Sequence, residues 1–340
     1  MSIGPDSSVV TAGYAPLDIV SYQGRIWHAA GGSAGNVAAI LGFLGWSSSL
    51  VTDLGDDVAG RQIQRDLAKS NVSTKLTRLV AGVTTPRLIH EISGAGHQYR
   101  FKCSQCGSRF PFSRPLRLDR AREVIEQSDH PTVFFLDRLN AGTVLLAEHY
   151  ASEGSRVIFE PSRPARPDLT ARILAVATVV KHASDRTSGL DEANARAGQV
   201  WIVTDGAAGA KYRVGRGAWH QSPAFSYPVI DAGGAGDWTT AGLAHALPKE
   251  GRLTVAAVGD ALRWAQALAA VSCGAAGARG LSAQQSAQAV LRAAHFLEQR
   301  GESRDKVVDK HGKWVSPKPN EATCTCCLQP LAAADTARSA

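Results

Sequence analysis

The chain has 340 residues, 44% hydrophobic and 20% charged, a composition that supports one large buried core and excludes a mostly disordered protein. Its formal charge of +7 comes from Lys and Arg scattered along the chain, without a basic block interleaved with aromatics; this argues against a nucleic-acid partner and suits an anionic small molecule. No window approaches the roughly 18 continuous apolar residues of a membrane span, and MSIGPDSSVV lacks a basic region leading into an apolar run, so a soluble, cytoplasmic protein with no membrane partner is expected.

In chain order, Val9 to Val20 reads as a strand running into a turn at Gly13, and Gly31 to Leu44 as a Gly-rich loop passing into an apolar helix. Ser48 to Asp53 is the next strand. Asp56 or Asp57 is placed to cap the helix that follows, in which Ile63 and Leu67 share a face at i, i+4 spacing. From Ser73 to Phe101 the short β-rich pieces TKLTRLV, TPRLIHEI and HQYRFKC predict a small antiparallel sheet, a lid drawn from about residues 10–35 and 73–112.

Helix and strand then alternate through LDRAREVIEQSD, PTVFFLD, AGTVLLAEHYASEG, SRVIFEP, ILAVATVVK and VWIVTDG. A strand-like FSYPVI and two helices, over ALRWAQALAAVSC and SAQQSAQAVLRAAHFLEQ, complete the series. The alternation predicts an α/β fold over residues 1–300, with a doubly wound, mostly parallel sheet flanked by helices. Such sheets bind ligands at the carboxyl ends of their strands. Residues 301–340 read as a separate Cys-containing tail whose last ten residues are expected to be disordered.

The most informative stretch is DAGGAGDWTTAG, Asp231 to Gly242. Gly233, Gly234 and Gly236 let the backbone wrap an anion, and the start of the following helix offers unpaired N–H groups and a positive dipole end. Asp237, at that helix start, is placed to take a proton from a hydroxyl while the amides hold a phosphate. Taken alone the string also fits an ordinary Gly-rich turn with an aspartate as helix cap.

GAGD at Gly234 to Asp237, with Asp231 before it and Gly242 after, resembles the late signature of the ribokinase-like (PfkB) carbohydrate kinases. GGSAGNVAAILGFLG, Gly31 to Gly45, resembles that family's early Gly-Gly-x-x-x-Asn-x-Ala signature, and Gly55-Asp56-Asp57-x-x-Gly60 the motif that follows it, in the same order. The resemblance covers about Val9 to Gln299. It implies a ribokinase-like fold with a β-sheet lid, and transfer of a phosphoryl group from ATP, with Mg²⁺, to a hydroxyl of a sugar or sugar-like compound. Matching positions put the base at Asp237, the anion hole at Gly234, Ala235 and Gly236, and substrate contacts at Asp18, Gly32 and Asn36. VTDGAAGA resembles the nucleotide-bearing turn and puts Thr204, Gly206 and Gly209 near ATP. A nucleoside acceptor is the alternative within the same chemistry, and dimerisation through the lid would suit the family. The chain departs from the pattern in two places. KHASDR carries Ala183 and Arg186 where many members have an Asn-x-x-Glu motif, and Ala232 stands in place of the usual threonine. Lys181 and Arg100 read as solvated surface charges.

Cys103-Ser-Gln-Cys106-Gly and Cys324-Thr-Cys326-Cys327 each carry C-x-x-C spacing, so Cys103, Cys106, Cys324 and Cys327 can enclose a structural Zn²⁺ and dock the tail on the lid. Free thiols and a redox pair are the other readings of this spacing. Cys273, alone in an apolar helix, reads as a core residue. A zinc-stapled ligand-binding or regulatory protein on a catalytically degenerate kinase fold is the alternative from another class.

Overall fold

The computed structural model of the protein describes residues 7–94, 96–162, 166–185, 190, 195–300, 323, 324 and 326–329. Arg186 and the last ten residues lie outside them. The chain opens with β1 (Ser8–Ala12), β2 (Leu17–Tyr22) and β3 (Arg25–Ala30), followed by α1 (Ser33–Phe43), β4 (Ser47–Gly55) and α2 (Val58–Lys69). Four short strands come next: β5 (Val72–Ser73), β6 (Thr77–Val80), β7 (Arg87–Ser93) and β8 (Gly96–Arg100). Alternation resumes with α3 (Leu118–Gln127), β9 (Val133–Leu136), α4 (Ala141–Ser152), β10 (Arg156–Phe159), α5 (Pro167–Val176), β11 (Val179–Ala183) and β12 (Val200–Thr204). The antiparallel strands β13 (Ala210–Val214) and β14 (His220–Ser222) precede four helices, α6 (Ala235–Ala246), α7 (Val255–Ser272), α8 (Gly280–Gln284) and α9 (Ala287–Arg300).

The large sheet runs β14-β13-β12-β11-β10-β9-β1-β4-β5, with β6 also paired to β4. Every pair from β12 to β5 is parallel. Side chains of β9 show why such strands are continuous apolar runs: Val133 and Phe135 enter the core under α1, α6, α7 and α9, while Phe134 and Leu136 enter the core under α3, α4 and α5. All four are buried.

The lid is a separate sheet of order β3-β2-β7-β8. Two expectations need correction here. TKLTRLV supplies β6, which pairs with β4 of the large sheet. The lid is also mixed, because β2 and β7 run parallel; residues 23–86 separate them, enough for a crossover that a tight hairpin could not make. FSYPVI is irregular except for an isolated bridge residue, in keeping with a proline that cannot donate to a ladder. The last expected helix is broken at Gln285 and Ser286 into α8 and α9.

Asp57, not Asp56, caps α2, accepting from Gly60 N at 2.8 Å. It also accepts from Thr85 N (2.9 Å) and Thr85 Oγ1 (2.7 Å) and pairs with the fully buried Arg87 at 3.2 Å. These bonds outweigh burial and hold its carboxyl below the usual range. One carboxylate thereby fixes a helix start in the main domain to the first residues of lid strand β7.

Candidate active site

The carboxyl ends of β1, β9, β10 and β11 converge on the start of α6. Gly234 is the N-cap of α6 in the left-handed region (φ 85°), and a Cβ there would fall 2.5 Å from Ala278 Cβ, so this turn accepts glycine alone. Ala235, Gly236 and Asp237 form the first turn of the helix. At Gly236 a Cβ would meet nothing closer than Lys181 Nζ at 3.7 Å and Glu160 Oε1 at 3.9 Å, so the gap between the helix start and a buried ammonium is about the size of a methyl group.

Asp237 is 8% exposed, and its Oδ2 accepts from Asn36 Nδ2 at 2.7 Å. Burial and the Glu160 charge push its carboxyl up to about 6, against the Asn36 hydrogen bond and the Lys181 charge. Asn36 lies in the first turn of α1, whose N-cap is Gly32. Asp18, on β2, packs against Gly31, where a Cβ would fall 1.9 Å from the Asp18 Cγ; only glycine lets the two segments approach. Burial raises Asp18 to about 7, opposed by His90 and Arg279. Asp18 and Asn36 together line a cavity of about 250 Å³ with Trp27, Lys69 and Arg279. Asp18 Oδ1 and Asn36 Oδ1 are buried and without a hydrogen-bond partner among the described residues. Buried acceptors in that state favour a ligand that donates hydroxyl protons.

Several site residues escaped the sequence reading. Glu160 follows β10 directly, accepting from Lys181 Nζ at 2.9 Å and Thr240 Oγ1 at 2.6 Å. Lys181, expected on the surface, is 1% exposed beside Gly236; a lysine inside a buried parallel strand is tolerated only when paired, and Glu160 is the partner. Arg100, by contrast, is half exposed and pairs with Glu91 at 2.7 Å. Asp137 follows β9 and is 2% exposed, with Tyr14 N at 2.9 Å and Arg138 NH1 at 2.8 Å on its two oxygens. Burial raises it to about 6. It lines a second cavity, of about 430 Å³, with Gly13, Tyr14 and Phe112. The available signal is a carboxylate directly after each of two strands whose last three residues are apolar.

The lid reaches this loop through histidines. Asp231 accepts from Gly233 N (2.8 Å) and Gly277 N (2.9 Å), and its oxygens lie 3.5 Å from His90 Nε2 and 3.3 Å from His97 Nδ1. Burial alone would raise Asp231, but the adjacent His90 imidazole and the two amides bring it below the usual range.

Thr204 ends β12, and Gly206 opens and Gly209 caps a single 3-10 turn before β13. Thr204 Oγ1 meets His182 O at 3.4 Å and Ser184 Oγ donates to Asp205 at 2.6 Å, so this turn sits beside the end of β11. Ala183 ends β11 and Asp185 is exposed just after it. Cys103, Cys106, Cys324 and Cys327 come together on the lid, away from this cluster. Cys273 is half-buried at the C-cap of α7, and burial pushes its thiol up to about 11. No helix among the described residues is long and apolar enough to cross a membrane.

A doubly wound sheet with a separate β-sheet lid and a glycine turn opening α6 defines a ribokinase-like kinase fold. The chain belongs to the pfkB family of carbohydrate kinases, ATP-dependent enzymes whose sequence pattern matches residues 7–285. It is 27% identical over 283 residues to a fructokinase of Klebsiella pneumoniae, covering 75% of this chain and 89% of that one. It is 26% identical over 292 residues to the aminoimidazole riboside kinase of Salmonella typhimurium, covering 80% and 91%. Among solved structures, Vibrio cholerae fructokinase with fructose, ADP and potassium superposes with a TM-score of 0.65 at 22% identity, over 85% of this chain and 98% of that one. The Salmonella enterica aminoimidazole riboside kinase, with its riboside and an ATP analogue, gives 0.63 at 20%, over 85% and 100%.

Proposed function

We propose that the protein transfers the terminal phosphoryl group of ATP to a hydroxyl of a sugar or sugar-like molecule, with Asp237 as general base. The observation that carries this reading is a buried carboxylate at the start of α6, raised to about 6 and hydrogen-bonded to Asn36, directly beside a glycine turn. In this reading the acceptor lies in the Asp18 and Asn36 cavity, its hydroxyls donating to the two unpartnered acceptor oxygens. Gly32, as N-cap of α1, sets the position of Asn36.

Asp237 takes the proton of the attacking hydroxyl. The acceptor oxygen bonds to the terminal phosphorus as the bond from that phosphorus to the bridging oxygen breaks, and ADP leaves with the electron pair. Charge on the transferring group is met by the amides of Gly234, Ala235 and Gly236 and by the Lys181 ammonium. ATP would extend from there along the ends of β11 and β12 toward Thr204, Gly206 and Gly209.

Mg²⁺ bound with ATP supplies neutralisation of phosphate charge. Glu160, which faces Gly236, has its two oxygens engaged by Lys181 and Thr240. The ion would then be held through phosphates and water, as is common for Mg²⁺.

A nucleoside acceptor is the second reading, favoured by similarity to a riboside kinase as well as to a fructokinase. The test is ATP consumption over a panel of free sugars and nucleosides, with Asp237→Asn as control. Turnover with one class alone decides between the two. Acceptor binding without turnover by any member would replace both with a degenerate binding protein.

A further inference from the structure

We propose that Cys103, Cys106, Cys324 and Cys327 bind one Zn²⁺ tetrahedrally, and that this ion fastens the C-terminal tail onto the outer face of the lid sheet.

The sulfur geometry comes first. Cys103 Sγ lies 3.9 Å from Cys324 Sγ and Cys106 Sγ 3.8 Å from Cys327 Sγ, and all four sulfurs fall within 4.8 Å of one another. Four thiolates at about 2.3 Å from a tetrahedral zinc stand about 3.8 Å apart, whereas a disulfide needs about 2.0 Å. Each close pair takes one cysteine from the lid and one from the tail. The sulfurs are therefore arranged as four ligands around a centre, not as two bonds.

The two turns that carry them are copies in their backbone bonding. In the lid, Cys103 N donates to Ser108 O (2.9 Å) and Gly107 N to Cys103 O (3.0 Å). In the tail, Cys324 N donates to Gln329 O (2.9 Å) and Leu328 N to Cys324 O (2.9 Å). The residue after the second cysteine is left-handed in both, Gly107 at φ 71° and Leu328 at φ 56°. A leucine rarely adopts that conformation, and here it repeats a geometry that glycine supplies in the other turn.

Lid chemistry fits the same reading. Asp18 and His90 point to the active-site face of β2 and β7; Ile19 and Ile89, partners in register, point to the other face and pack with Phe110, Cys326 and the cysteine turns. His28 Nε2 lies 2.6 Å from Cys326 O, and the buried Arg87 guanidinium interacts electrostatically with Cys327. A tetrathiolate zinc centre carries net negative charge, and Arg87, on the same side of β7 as Ile89, is a buried cation of that face. Sulfur-only tetrahedral ligation selects zinc or iron, and a redox-inert ion suits a staple.

The test is metal content of the purified full-length chain, isolated without a metal-affinity step. One zinc per chain is expected in the wild type and in Cys273→Ser, whose thiol lies outside the cluster, and less than a tenth of that in the double variant Cys106→Ser/Cys327→Ser. Zinc unchanged in the double variant, iron in its place, or a zinc-free wild type with all six thiols free or with disulfides by mass would each overturn the proposal. If the double variant does not fold, Co²⁺ exchange into the wild type decides: the visible bands of tetrahedral thiolate cobalt are expected, and their absence refutes the site. None of these readouts depends on kinase turnover.

Discussion

Asn36 and Asp237 are 201 residues apart in sequence, yet Asn36 Nδ2 donates to Asp237 Oδ2 at 2.7 Å. The bond joins the two glycine signatures at opposite ends of the domain and favours the ionised aspartate. Replacing Asn36 by leucine is therefore expected to raise the Asp237 pKa and move the acid limb of the pH–rate profile to higher pH. Rate profiles of the two proteins from pH 5 to 9 check this, and an unmoved limb contradicts it.

Asp237→Asn is expected to lower kcat by about 10²–10⁴-fold with the fold intact, the range for loss of a general base. ATP consumption at saturating acceptor measures it. In the wild type, a base must be deprotonated to act. With Asp237 at about 6 and Asp18 at about 7, kcat/KM should fall as pH drops through 7 to below 6.

Two glycine replacements separate shape from chemistry. Gly236→Ala places its methyl at ordinary contact distance, so the protein should fold normally but lose about 10²-fold or more in rate, because the methyl fills the space facing Lys181. Gly234→Ala forces a left-handed residue against Ala278 and should lower the thermal midpoint as well as the rate. Parallel melting and activity measurements distinguish them.

Asp57→Ala removes a helix cap and leaves Arg87 buried without its carboxylate. Breaking such a pair costs about 3–5 kcal/mol. Urea unfolding should show a loss of that order, with the lid strands opening first in hydrogen exchange.

Much of the site could be read from the sequence because its parts are glycine turns, and a turn that only glycine can make leaves a local signature. Gly31 against Asp18 and Gly234 against Ala278 are of this kind. Lys181 could not be placed that way. Its meaning depends on Glu160, 21 residues earlier, across the parallel pair β10 and β11, and no local pattern records such pairing. TKLTRLV reads as a lid strand for a similar reason: a four-residue strand looks the same whichever sheet receives it, and β4 is the longer neighbour that does. Arg87, at the head of β7, is fully buried against Asp57, a relation visible only once the start of α2 and β7 are brought together.

The cysteine turns that meet on the lid are 221 residues apart in the chain. At a ribosomal rate of 5–20 residues per second, roughly 10–45 seconds pass between the emergence of one and the other. Throughout that time Ile19 and Ile89 lack the cover that Cys324, Cys326 and Cys327 later give them. The newborn lid thus presents an apolar strand pair to the cell until residues 324–327 have been made, and any chain cut short before them would keep it so.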